Sequence, residues 1–200
     1  MPALAPLPFA FSETLTYTRA TSGEGQPNMD IRDILVDGIE QATEWYDEAL
    51  APLTAEQLNF LPGGKATSIG FNAWHWYRTA DNITHFVFQK QKPIWMEQGY
   101  VEKLGLPPVA QGTGMSQEEA QALTIKDPAI LREYGALVTA ATLQFVKNVE
   151  PAILAEMQMV KPLGEMPKWR VIRQVVMTHG FMHLGEINAI RGILGLQFSI

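Results

Sequence analysis

Four long stretches with apolar residues at helical spacing, joined by proline- and glycine-bearing connections, predict an all-α protein. The architecture expected is an antiparallel four-helix bundle with long connections, since no segment shows a convincing strand alternation. Residues 1–28 read as an N-terminal arm and residues 29–200 as the bundle domain. Two hundred residues can enclose one full core, and 46% hydrophobic content is that of a globular chain.

The arm carries Pro2, Pro6, Pro8 and Pro27, which favour extended backbone over helix. From Asp30 to Leu50, a stripe of Ile31, Ile34, Leu35, Ile39, Ala42, Trp45, Tyr46 and Ala49 predicts the first long helix, with Asn28 or Asp30 as its cap. Thr54 and Gln57 form a capping box for a short turn, which Leu61-Pro62-Gly63-Gly64 breaks. Ser68 caps a second long helix running through Trp76 and Val87 to Lys92, where Pro93 stops it. The connection over 93–115 exceeds the usual helix-to-helix link and is expected to help wall a pocket. Ser116 and Glu119 box a short helix, and Asp127-Pro128 starts the third long one, which Pro151 ends.

The last helix, about Trp169 to Leu194, organises the rest. It places His179 and His183 four residues apart within the apolar stripe of Ile172, Val175, Val176, Ile187 and Ile190. Residues four apart on a helix lie about 5–6 Å apart at Cβ, so both imidazoles can reach one point. Two rings buried together need partners for four nitrogens, and a cation satisfies two at once. A third ligand must come from another helix. His75 and His85 are ten residues apart, about 80° apart around one helix, so they do not share a site. Spacing alone prefers neither.

Composition removes several function classes. With 15 Lys and Arg against 21 Asp and Glu, the formal charge is −6 and no basic face exists for nucleic acid. No run approaches the roughly 20 apolar residues of a membrane span, and the N-terminus lacks the charged and uninterrupted apolar regions of a signal peptide. A cytoplasmic protein is expected. The absence of cysteine excludes disulfides and thiolate ligands, leaving His, Asp, Glu or water to hold any metal. Neither H-E-x-x-H nor a Glu-x-x-His pair occurs.

The segments S-I-G-F-N-A-W-H-W-Y-R-T-A-D, residues 68–81, and H-G-F-M-H-L-G-E-I, residues 179–187, resemble the DinB-like family. These helical-bundle proteins are also called DinB/YfiT-like metal-dependent hydrolases. In that family a histidine of the second helix joins an H-x-x-x-H-x-G-Q-I pattern on the last one. The resemblance therefore implies His75, His179 and His183 as metal ligands. It also implies a choice of chemistries: activation of a low-molecular-weight thiol such as mycothiol or bacillithiol in a transferase or isomerase reaction, or activation of water in a hydrolase.

Where the family commonly has Gln, this chain has Glu186, which shares the histidine stripe within about 40°. It is a candidate orienting group for an imidazole, a fourth ligand, or a general base. Three imidazoles and an open position suit a catalytic zinc site, and imidazole also suits nickel, iron and copper. Zinc or nickel is the expected cofactor. Arg78 lies near the face of His75, either as a rim ion pair with Asp81 or as a contact for an anionic small-molecule substrate. Trp45, Trp74, Trp76, Tyr77 and Tyr134 read as packing residues. A homodimer is the expected assembly. The alternative function is non-catalytic: a stress-related dimeric bundle with a structural metal or a ligand pocket.

Overall fold

The computed structural model describes residues 29–51 and 53–199; the expected N-terminal arm lies outside them. Helix α1 spans Ile31–Leu50, capped by Asp30 through the Arg32 amide. The short α2, Ala55–Leu58, carries both bonds of the Thr54–Gln57 capping box. Helix α3, Ile69–Asp81, starts at Ser68, whose hydroxyl accepts from the Phe71 amide. It continues as a π-helical run over Asn82–Phe88, which stops short of the expected Lys92 because Lys90 turns the chain at φ 59°.

The long connection contains α4, Ile94–Glu97, and α5, Tyr100–Leu104, then the boxed α6, Gln117–Ala122. Helix α7, Pro128–Asn148, has the predicted Asp127 cap, and Pro151 opens the short α8, Pro151–Ala155, instead of extending it. The last long segment runs from α9, Lys168–Val171, through a π-helical run at Ile172–Thr178 into α10, His179–Ile193.

One expectation is corrected: the chain is mostly helical but not all-α. Strands β1, Met157–Val160, and β2, Gly164–Pro167, pair antiparallel with Met157 opposite Pro167 and Val160 opposite Gly164. Four residues per strand are too few for alternation to stand out, and the Lys161-Pro162-Leu163 turn closes at Gly164, which takes φ 89°.

Helix α1 packs on α7 and α10, and α3 packs on the same two, so the four long segments touch in a ring around one core. Aromatic residues fix the register of that ring. Tyr46 stacks on Trp76 with centroids 4.0 Å apart; the Tyr46 hydroxyl donates to the Gly180 carbonyl at 3.1 Å, and Trp76 Nε1 donates to the Val176 carbonyl at 2.9 Å. A Cβ on Gly180 would lie 2.6 Å from Trp76 Nε1, so only glycine lets α10 approach α3 this closely. The contact lies one residue from His75 and one from His179 in sequence, and it brings those histidines together.

Candidate metal centre

His75 is presented by α3, and His179 and His183 by the first turns of α10. One nitrogen from each lies within 4.8 Å of the others. His183 Nε2 stands 2.9 Å from His179 Nε2, and the His75 ring centroid is 4.9 Å from each of the other two. His75 is buried, whereas His179 and His183 are partly open to solvent, more so than the apolar stripe implies.

Second contacts orient two of the three rings. His75 Nδ1 donates to the Gln111 carbonyl, and His183 Nδ1 donates to Glu186 Oε2 at 2.7 Å. Each bond fixes the proton on Nδ1 and leaves the Nε2 lone pair for the centre. His179 Nδ1 is buried without a well-aligned hydrogen bond; a weak one to the Val175 carbonyl four residues back works against the lowering by burial. Two imidazole nitrogens at 2.9 Å need a proton or a cation between them, because two lone pairs repel. Three imidazole nitrogens fit a divalent transition metal.

Electrostatics favour neutral rings at His75 and His179. Burial is the main cause that lowers the His75 pKa, and burial together with the charges of His183 and His75 takes His179 down to about 4. The His183 hydrogen bond holds Glu186 below the usual carboxylate range, so it accepts as an anion. Its carboxylate is half exposed and turned to the outer side of His183. Among the described residues the cluster comprises three histidines and no carboxylate.

A model of the DinB superfamily matches residues 39–187, which contain the whole centre. The chain belongs to the DinB superfamily. A search of the curated proteins finds no match. Among solved structures, this DinB-superfamily chain resembles a conserved protein from Enterococcus faecalis. The two are 21% identical, with a TM-score of 0.73 over 84% of this chain and 99% of the other. That likeness concerns the fold.

The other histidine of α3's extension is elsewhere. His85 Nδ1 lies 2.8 Å from Asp81 Oδ1, which raises the His85 pKa. Asp81 is fully buried and also accepts from the Ile94 and Trp95 amides, each at 2.9 Å, and from the Tyr134 hydroxyl at 2.8 Å. It thus caps α4 from a different helix. Arg78 belongs to the same cluster, 3.8 Å from Asp81 and 4.9 Å from the Trp95 ring centroid. The rim expected for Arg78 is therefore corrected: α4 and the loop to Ala110 cover that face of α3, and the residue is 2% exposed.

Gln111 and Gly112 escaped the sequence reading as individual residues, although the long connection was expected to wall a pocket. Gly112 takes φ 101°, and a Cβ there would come within 2.4 Å of His75 Nδ1. The available signal was the glycine-rich Gln111-Gly112-Thr113-Gly114 tract, which allows backbone to close on a side chain.

Proposed function

We propose that this protein is a metal-dependent enzyme whose divalent ion, zinc or nickel, is held by His75, His179 and His183. The observation that carries the reading is the convergence of three imidazoles from two helices, two of them held in place through Nδ1, beside an open cavity. We read the ring of four long segments as the antiparallel bundle that presents such sites in its interior.

A divalent metal supplies Lewis acidity, lowering the pKa of a thiol or water brought to it. The chain's own residues do the rest. Gln111 and Glu186 hold the proton of His75 and of His183 on Nδ1, which keeps both Nε2 atoms as donors. Glu186 is a positioning residue in this reading, engaged through His183. The family resemblance favours a low-molecular-weight thiol attacking a small electrophile: the S–H proton passes to solvent, the carbon–sulfur bond forms, and the electrophile's bond to its leaving group breaks with the electron pair going to that group; hydrolysis by water is the neighbouring possibility. A chain without cysteine supplies no thiol of its own, so the sulfur nucleophile must be a co-substrate.

The non-catalytic alternative, in its structural-metal form, needs a closed, four-ligand shell. The outward turn of Glu186 argues against it, since that carboxylate is already bonded to Nδ1 of a ligand. A cytoplasmic homodimer remains the expected context.

Elemental analysis of tag-free protein tests the centre. Wild type should carry about one equivalent of a transition metal, and His75→Ala, His179→Ala and His183→Ala should each lose most of it. Wild type that stays metal-free after incubation with zinc and with nickel would sink the proposal. Thiol-transfer and hydrolase assays on the loaded protein then separate the two chemistries.

A further inference from the structure

A cavity of about 430 Å³ opens beside the three histidines, with His179 and Gln111 in its wall. Its volume is that of a small-ligand site, not of a macromolecular groove. Most of its surface is apolar, contributed by residues of three elements: Ile83 and Val87 from the π-helical run after α3, Val175 from the run before α10, and Val160 from the hairpin. Lys161 is the one formally charged side chain that borders it among the described residues, and no Asp or Glu does.

The mouth is apolar as well. Phe86 is 60% exposed, Met159 54%, Leu163 46% and Met182 62%, and all four border this cavity. Large apolar side chains are usually exposed singly, so four around one opening mark a binding surface. Two of them come from the hairpin, whose tip residues from Met159 to Leu163 form one side of the cavity.

We propose that this cavity binds the apolar body of a small organic molecule carrying no positive charge, and that the hairpin tip selects it. The inference names the substrate class of the metal site and rests on that reading for the reaction, but not for binding. A polar reacting group at the His179 end would then lie at the histidine cluster while the apolar remainder fills the space between Ile83, Val87 and Val160. A cation would find no carboxylate there and would meet Lys161.

Binding of the uncharged fluorescent probe N-phenyl-1-naphthylamine to the full chain tests this, with metal content and light-scattering mass measured on the same samples. Saturable binding near one probe per chain is expected, displaced by octan-1-ol and at least tenfold less well by octylammonium. Leu163→Glu and Phe86→Glu, both at exposed positions, should weaken the probe tenfold or more while far-UV circular dichroism stays unchanged. No saturable binding to wild type, equal displacement by octylammonium, or full binding in both variants overturns the proposal. So does a drop from dimer mass to monomer mass in the variants without prior probe binding, which would make the apolar mouth a contact between copies. Wild type that stays metal-free after incubation with zinc and with nickel yet binds the probe sinks the metal reading and leaves the pocket standing.

Discussion

Glu186 illustrates how one carboxylate's role depends on which ring nitrogen it meets. Its Oε2 bonds His183 Nδ1 at 2.7 Å, on the side of the ring away from the cluster. Glu186→Ala should therefore weaken metal binding by about 10–100-fold, while Glu186→Gln, whose amide oxygen still accepts from Nδ1, should retain most of it. Competition with a chromogenic chelator measures both; equal losses would point to the carboxylate as a direct ligand. The depressed histidine pKa values predict a pH effect in the metal-free protein. Unfolded histidine binds its proton near pH 6.5, whereas folded His179 does so only near 4, so the unfolded state holds more protons between those values. The stability from this group is thus complete above pH 6.5 and is lost as pH falls toward 4. Chelator-treated wild type should lose more stability over that window than His179→Gln does, read by thermal melting at matched pH; parallel curves would contradict it.

At the scale of elements, the centre depends on how α3 and α10 meet. Gly180 sits against the Trp76 indole, and its carbonyl accepts from Tyr46 of α1. Gly180→Ala should overpack that contact at a cost of about 1–3 kcal/mol. For a chain of this size that is a melting-temperature fall of about 2–10 °C. An unchanged melting temperature would show that the helices are not locked at this point. The π-helical run ending at Thr178, just before His179, lies beside the same contact, and a second run follows α3. Such insertions are common at functional sites. Apolar periodicity did not reveal them, because an extra residue in one turn only shifts the stripe by part of a turn. His179, His183 and Glu186 all fall in the regular part of α10, so their spacing survived.

For the whole molecule, the centre joins two helices far apart in sequence, so a bound ion should hold the core together. Metal at about 100 times its Kd adds about 2.7 kcal/mol. Removing it with a chelator should lower the melting temperature by about 5–10 °C. Zinc or nickel should restore it and calcium should not, as judged by differential scanning fluorimetry. Insensitivity to the chelator in protein shown to contain metal would place the ion outside the core.

Much of this could be read from the chain alone. The capping residues Asp30, Thr54, Ser68, Ser116 and Asp127 act where their types predict, because a cap is a local bond within three residues. The pairing of His179 with His183 follows from helix geometry, which is equally local. The choice of His75 over His85 did not follow from spacing, since each had an unobstructed helix face. Packing decided it: α10 meets α3 at Trp76, and Asp81 claims His85 for the buried cluster that caps α4. The burial of Arg78, the short hairpin, and the cavity it borders likewise arise between segments distant in sequence. Local hydrogen bonds and periodicity determine which residues are presented on each helix. Only the closing of one helix on another determines which of them share water, a proton or a metal.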